Sequence, residues 1–279
     1  MAYLTLPSRR LRQPQGLVRF RNDGIASKMC AGFVAGGPGV ITTYGGAYAP
    51  TGTGSMYLAG TAQGLAVKST AQDNRYLPLW PSANATTSPW ETPRTQVTVV
   101  AFFKRTGTPG GDSPIFANYS PTTSPYYSWG LQEQTSSAGR LTFTVNYDGG
   151  SGNWTFANGV INDGKEHIAV GTWFGAGLPA YLYLDGVQIA TSTPNGTISY
   201  LTSARGPAIG NWWAYTSNRA FIGEVYGGAL APVAISAAEA IALSRTPAGF
   251  WGELFQGDPR RLYFDLSRPK GTMRPTVMI

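Results

Sequence analysis

Residues 181–190, YLYLDGVQIA, decide the fold. Asp185 and Gly186 stand between two apolar runs, and both residue types reach φ > 0 at low cost, as a two-residue hairpin turn demands. The stretch therefore reads as two antiparallel strands. Working outward, β-rich runs recur at hairpin-like spacing: QVTVVAFFKR (96–105), YYSWGLQEQ (126–134), RLTFTVNY (140–147), EHIAVGTWF (166–174) and RAFIGEVYGG (219–228). Turn clusters such as TGTPGGD separate them, which is the pattern of an all-β domain. A second hairpin is expected near Asp148-Gly149-Gly150.

Alternation assigns faces. In RLTFTVNY, Leu141, Phe143 and Val145 point one way and Thr142, Thr144 and Asn146 the other, as in a strand with one buried face. GLAVKST (64–70) sets Leu65 and Val67 against Ala66 and Lys68. Residues 29–66, rich in Gly, Ala, Thr and Tyr, suit a thin strand-and-turn layer packed closely against something larger.

Composition agrees. With 36 Gly, 20 Pro and only 13% charged residues among plentiful aromatics, the 279-residue chain reads as short strands joined by turns. That length can bury a large core without staples, and the sole cysteine, Cys30, excludes an intrachain disulfide. The opening MAYLTLPSRRLRQPQG holds no apolar run, so neither a secretory leader nor a membrane span is expected. One helix is expected over Ile235–Leu243, because Ser236 and Glu239 form a capping box. Pro247 and Gly249 are read as ending it.

The net charge of +7 sits at the ends of the chain. Residues 1–28 carry six basic groups against Asp23, and residues 245–279 carry six against three acids; everything between sums to −1. Arg9, Arg10, Arg12, Arg19, Arg21, Arg260 and Arg261 are therefore candidate assembly residues. Pro and apolar residues interrupt both basic segments, which favours docking on an acidic protein over contact with nucleic acid.

The order of elements resembles the concanavalin A-like lectin/glucanase superfamily, in particular its laminin-G-like members. Asn162-Asp163-Gly164-Lys165-Glu166-His167-Ile168-Ala169-Val170 is similar to the family's D-G-x-W-H strand, with Glu166 replacing the aromatic. Tyr183-Leu184-Asp185-Gly186-Val187 is similar to its L-Y-x-D-G hairpin. The resemblance implies an all-β, concanavalin A-like jelly-roll β-sandwich with one short C-terminal helix and extended basic terminal arms. It divides the chain into residues 1–52 (arm and Gly/Ala-rich segment), 53–246 (jelly roll) and 247–279 (basic extension). Pro247, Trp251, Leu254, Phe255 and Arg260–Arg261 loosely resemble the end of laminin-G-like domains in phage structural proteins. That second resemblance implies a virion location, as a capsid decoration or cement protein docking through its arms onto major capsid or tail proteins, and a homo-oligomer. The alternative it leaves is a tail- or fibre-associated protein whose sandwich binds a host surface glycan.

Candidate chemistry is sparse. Concanavalin-type glucanases place two carboxylates on one strand face, and no two of Glu91, Glu133, Glu166, Glu224, Glu239 and Glu253 are close enough in sequence to do so. Glu224 could pair only with a carboxylate brought in by the fold. His167, the single histidine, reads as a core residue with hydrogen-bonded ring nitrogens; neither a triad nor a zinc site can be assembled around it. No catalytic residue, metal ligand or cofactor is assigned. Ca²⁺ is the one ion left open, but Asp148, Asp163 and Asp185 all stand at turns, where turn chemistry accounts for them. Two aromatic groups, Trp212-Trp213-Ala214-Tyr215 and Tyr126-Tyr127 with Trp129, are candidates for a sugar platform or a subunit contact, against burial as the plainer account.

Overall fold

The computed structural model describes residues 19–21, 23–36, 39–42, 47–48, 56–61, 63–71, 76–79, 88–91, 93–109, 111–119, 126–134, 139–147, 154–200, 206–211 and 219–256. The first strands are β1 (Arg19–Phe20), β2 (Ala31–Gly36), β3 (Gly39–Thr42), β4 (Ala47–Tyr48), β5 (Tyr57–Thr61), β6 (Gly64–Ser69) and β7 (Leu77–Pro78). There follow β8 (Val97–Arg105), β9 (Ser113–Tyr119), β10 (Tyr127–Gln134), β11 (Arg140–Tyr147), β12 (Trp154–Ala157) and β13 (Glu166–Trp173). The last are β14 (Ala180–Leu184), β15 (Val187–Ser192), β16 (Gly206–Ile209), β17 (Gly223–Ala231), helices α1 (Ala237–Ser244) and α2 (Pro247–Leu254), and β18 (Phe255–Gln256).

They build an all-β sandwich, as the sequence leads one to expect. A large sheet runs β15-β14-β13-β8-β17-β2-β3-β4, and a smaller one runs β12-β11-β10-β9-β16-β7. Every pairing is antiparallel. The far edge of β17 is shared, with β6 along Gly223–Val225 and β2 along Gly227–Leu230. An irregularity at Tyr226 marks the change of partner, as a bulge that bends a strand between two neighbours does. β2, β3 and β4 thus belong to the large sheet, so the sandwich begins well before residue 53. β2 can lie this close because Gly228 of β17 carries no side chain; a Cβ there would stand 2.6 Å from the Phe33 ring and 2.7 Å from the Val100 carbonyl.

The inner core joins the two sheets through Val99, Ala101, Phe103, Trp129, Leu131, Phe143 and Trp173 among others. Here the sheets meet without slack. A Cβ on Gly171 of β13 would lie 2.3 Å from the Phe143 ring of β11. A second core covers the other face of the large sheet, where Val100, Phe102, Ile168, Val170 and Tyr226 pack under α1, α2 and β18. Strands β8, β13 and β17 are consequently buried on both faces.

The Asp185-Gly186 turn and the α1 capping box form as expected, while the turn expected near Asp148 lies outside the described residues. Asp185 and Gly186 have φ of 51° and 82°, and Ser236 and Glu239 complete the capping box at α1. Pro247 does not end a helix but starts α2 at a position where its missing N–H costs nothing. Thr246 caps it by accepting from Gly249 N–H at 3.0 Å. Gly249 is needed there because a Cβ would come within 2.4 Å of the Ala242 carbonyl of α1. Trp251, Leu254 and Phe255 therefore lie in the outer core. Among the described residues no helix is long and apolar enough to cross a membrane.

The contact between Gly171 and Phe143 yields a test. Gly171→Val overfills the inner core and should destabilise by ~1–3 kcal/mol, read as a lower urea midpoint. Combining Gly171→Ala with Phe143→Ala should cost less than the sum of the two single losses, because the two share one space.

Candidate functional site

The two sheets differ on their outward sides. Helices cover the large sheet, whereas the small sheet turns a mixed polar and aromatic surface outward. Leu131, Leu141, Phe143 and Val145 point into the inner core, so their strand neighbours point away from it. Register then builds a grid of three rows. Gly130 of β10 faces Thr144 of β11, which faces Trp154 of β12; Gln132 faces Thr142, which faces Phe156. Gln134 faces Arg140, and Arg140 donates to Asn158 at 2.6 Å and to Gln134 at 3.3 Å. Its guanidinium lies 4.2 Å from the Phe156 ring centroid, a cation–π arrangement.

Exposure changes across the grid. Phe156 is 45% exposed, Asn158 is exposed, and Trp154, Arg140 and Gln134 are half-buried. Gln132, Thr142 and Thr144 are fully buried. The sequence expectation of a solvent-facing Thr142 and Thr144 is thus corrected, while the inward set of RLTFTVNY stands. Among the described residues nothing pairs with the Gln132 carboxamide or with the hydroxyls of Thr142 and Thr144. Such groups each cost about 1–3 kcal/mol if left unmade. Asn118, buried on the inner side opposite Trp129, is also unpaired, so an orphaned atom does not define a site. What distinguishes the grid is its edge, where an exposed aromatic ring and a cation lie together in front of the buried orphans.

The aromatic candidates separate. Trp129 is core: it is fully buried, donates to the Trp90 carbonyl at 3.1 Å and packs edge-on against Phe116. This corrects its candidacy for sugar or partner contact, since alternation on β10 turns it inward beside Val145. Tyr127 is also buried, its ring 4.6 Å from that of Tyr119, and Tyr126 is half-buried beside them. Trp212, Trp213 and Tyr215 lie outside the described residues, as do Arg9, Arg10, Arg12, Arg260, Arg261 and Asp148. Arg19 pairs through its backbone in β1. Arg21 is engaged within the fold, binding both oxygens of Asp23 and the Gly252 carbonyl.

The fold does bring carboxylates together where sequence distance spoke against it. Glu166 of β13 and Glu224 of β17 flank Lys104 of β8. Tyr226 donates to Glu224 at 2.8 Å, with Glu166 at 3.4 Å from the same hydroxyl. Lys68 completes the cluster, 3.0 Å from Glu224. Burial works against the charge on Glu224, but Tyr226 and Lys68 outweigh it and hold the carboxyl below its usual range. The same burial, together with Glu224, pushes the Tyr226 phenol up. A fully buried phenol thus fills the space that a sugar ring between two catalytic carboxylates would need. Glu133 has a different task. It accepts from Arg105 at 2.7 Å and from Gly139 N–H at 3.0 Å, tying β10 to β8 across the inner core; burial nonetheless raises its pKa.

No family model and no curated protein matches the chain. Solved structures do share the fold. A Trypanosoma rangeli sialidase matches with a TM-score of 0.53 at 14% identity, over 78% of this chain and 33% of that one. The chain thus spans about a third of the sialidase's length. The binding domain of botulinum neurotoxin DC, in complex with SialylT, matches with a TM-score of 0.54 at 9% identity, over 77% and 50%. Domain 4 of AbnA, a GH43 arabinanase from Geobacillus stearothermophilus in complex with arabinotriose, matches with a TM-score of 0.52 at 15% identity, over 82% and 100%. At such identities the likeness establishes a lectin-like β-sandwich fold.

His167 is placed as its sequence context predicts, with both ring nitrogens engaged. Nδ1 lies 2.7 Å from Asp185 and Nε2 lies 2.9 Å from Asp163. Both partners are acceptors, so both nitrogens donate only in the imidazolium form. Burial opposes that charge, but Asp185 and Asp163 outweigh it and raise the pKa. Asp163 is lowered to about 2, first by the Lys165 N–H and then by His167 and the Lys165 side chain. A raised histidine stabilises fully below its unfolded pKa and loses that contribution as pH rises through the folded value. A lowered carboxylate stabilises above its unfolded pKa and loses its contribution as pH falls toward about 2. The stability that this histidine–aspartate cluster contributes should therefore plateau between about pH 4 and about pH 6.5 and fall on either side. His167→Gln should abolish the alkaline fall that begins above the plateau; an unchanged alkaline limb would assign it to other groups.

Proposed function

We propose that this chain is a glycan-binding protein and that its ligand surface is the accessible edge of the grid, around Phe156, Arg140 and Asn158. One observation carries the reading: exposed Phe156 lies against the Arg140 guanidinium, which also binds Asn158 and Gln134. Sugars need both kinds of group. Their hydroxyls donate and accept, matching the Arg140 guanidinium and the carboxamides of Asn158 and Gln134, while their C–H faces pack on an aromatic ring. A few fixed polar groups beside apolar surface are what a small-ligand site requires. Two of the sandwiches with this fold are described in complex with SialylT and with arabinotriose, which accords with the proposal without naming this chain's ligand.

A second reading is a structural role on a phage particle, as a capsid decoration or tail-associated protein docking through its basic segments. It draws support from a separate observation: residues 1–18 and 257–279 both adjoin the β1–β18 pair. Neither role requires a catalytic group.

A glycan array spanning neutral and acidic oligosaccharides tests the first reading. Binding is expected, with acidic sugars ranking above neutral ones of equal size because Arg140 is positive. Phe156→Ala and Arg140→Ala should each weaken it about tenfold, or ~1.4 kcal/mol, with little change in melting temperature. Absence of binding at millimolar sugar would exclude a lectin role for this face.

A further inference from the structure

Three polar side chains at the edge of the grid share one arrangement. Arg140 Nε donates to Asn158 Oδ1 at 2.6 Å, and Nη1 donates to Gln134 Oε1 at 3.3 Å. Both carboxamides thus turn their oxygens toward Arg140, and each keeps an NH2 group, which can only donate. Nη2 of Arg140 has no partner among the described residues. No carboxylate among them lies within ion-pair distance of the guanidinium. A ligand therefore meets donors alone, around a positive charge that two neutral amides and the Phe156 ring hold in place without neutralising it. A flat, negatively charged acceptor fits such a cluster. A neutral hydroxyl, which also needs an acceptor for its own proton, fits it less well.

The edge also has length. Trp154, Phe156 and Asn158 follow one another at alternate positions, so their side chains leave one face of the strand at intervals of about 6.5 Å. Phe156 is 45% exposed, and Trp154 is half-buried with its ring edge-on to Tyr127. Between the two, Thr155 turns inward and its hydroxyl shares a hydrogen bond with that of Ser192 on β15. β12 is thereby fastened to the large sheet although it is an edge strand of the small one. The two rings stand on a fixed support, so little ordering is left for binding to impose.

We infer that this edge binds an acidic oligosaccharide in one direction. The carboxylate of one sugar unit sits among Arg140, Asn158 and Gln134 with that unit's C–H face on Phe156, and the next unit lies over Trp154. This rests on the glycan-binding reading and narrows it to chains bearing a carboxylate, as uronic and nonulosonic acids do. A planar carboxylate matches a planar guanidinium, and charge-assisted bonds of this kind are the stronger ones.

Calorimetric titration of the full chain with two series tests the inference: galacturonate with trigalacturonate, and N-acetylneuraminate with sialyllactose, each beside its methyl ester. In at least one series the acid should bind at least about tenfold tighter than its ester, and the oligosaccharide at least about tenfold tighter than the single unit. Arg140→Gln should bring acid and ester to equal affinity. Asn158→Asp sets an acceptor where a donor stood, at an exposed position; it should weaken the acid at least about tenfold and the ester far less. Trp154→Ala should erase the gain from one unit to several; if it unfolds, the unmodified protein's preference for the longer sugar reads the same step. Equal affinity for acid and ester, a single unit binding as tightly as the oligosaccharide, or preference for a sulfated sugar over a carboxylated one would each overturn the inference and leave glycan binding standing. Failure of every sugar, neutral or acidic, would remove the glycan-binding reading with it.

Discussion

Two-sided burial of the large sheet is the constraint from which the remaining architecture follows. β17 packs Val225 and Leu230 into the inner core and Tyr226, Ala229 and Ala231 into the outer one. A strand apolar on both faces needs a layer on each side. The small sheet supplies one. The other must come from the chain after β17, and α1, α2 and β18 supply it. Their linker is held by Thr98, which donates to the Val233 carbonyl, and by Thr172, which accepts from Ile235 N–H. Lys28 reaches Glu239 from the other end of the chain, 2.6 Å away.

That demand divides the molecule's labour. With one side of the sandwich occupied by packing, the outward side of the small sheet is where polar groups collect. Phe156 stands on its edge strand β12 with Asn158 just after it and Arg140 at the start of β11 beside them, while Gln132 and Thr142 lie deeper. The charged clusters elsewhere are directed inward, toward holding strands in register. Glu133 with Arg105 ties the sheets, and His167 with two aspartates ties a turn to a hairpin.

Features that depend on neighbours in sequence were legible there. The Asp185-Gly186 turn and the Ser236–Glu239 box each involve atoms within a few residues, so residue type alone prescribes their geometry. His167 was legible because turn aspartates stand four residues before it and at the adjoining hairpin. Features made by register were not. Alternation turned Thr142 and Thr144 away from the core but could not say that this side would also be buried. Glu166 and Glu224 lie 58 positions apart and meet only because both flank Lys104. The grid escaped for the same reason, being the sum of three registers. Pro247 misled for a local reason: proline ends one helix and begins another with equal ease, and only Thr246 before it told which.

The β1–β18 ribbon also has a mechanical meaning. A load pulling residues 18 and 257 apart acts at one end of an antiparallel pair, so its hydrogen bonds come under tension one after another instead of together. Peeling of this kind yields at lower force than shearing. With only two residue pairs to open, the ribbon would give way before the load reached β2 or α2. It works as a fuse: tension would first separate Phe20 from Phe255 at the edge of the outer core while leaving the inner core intact.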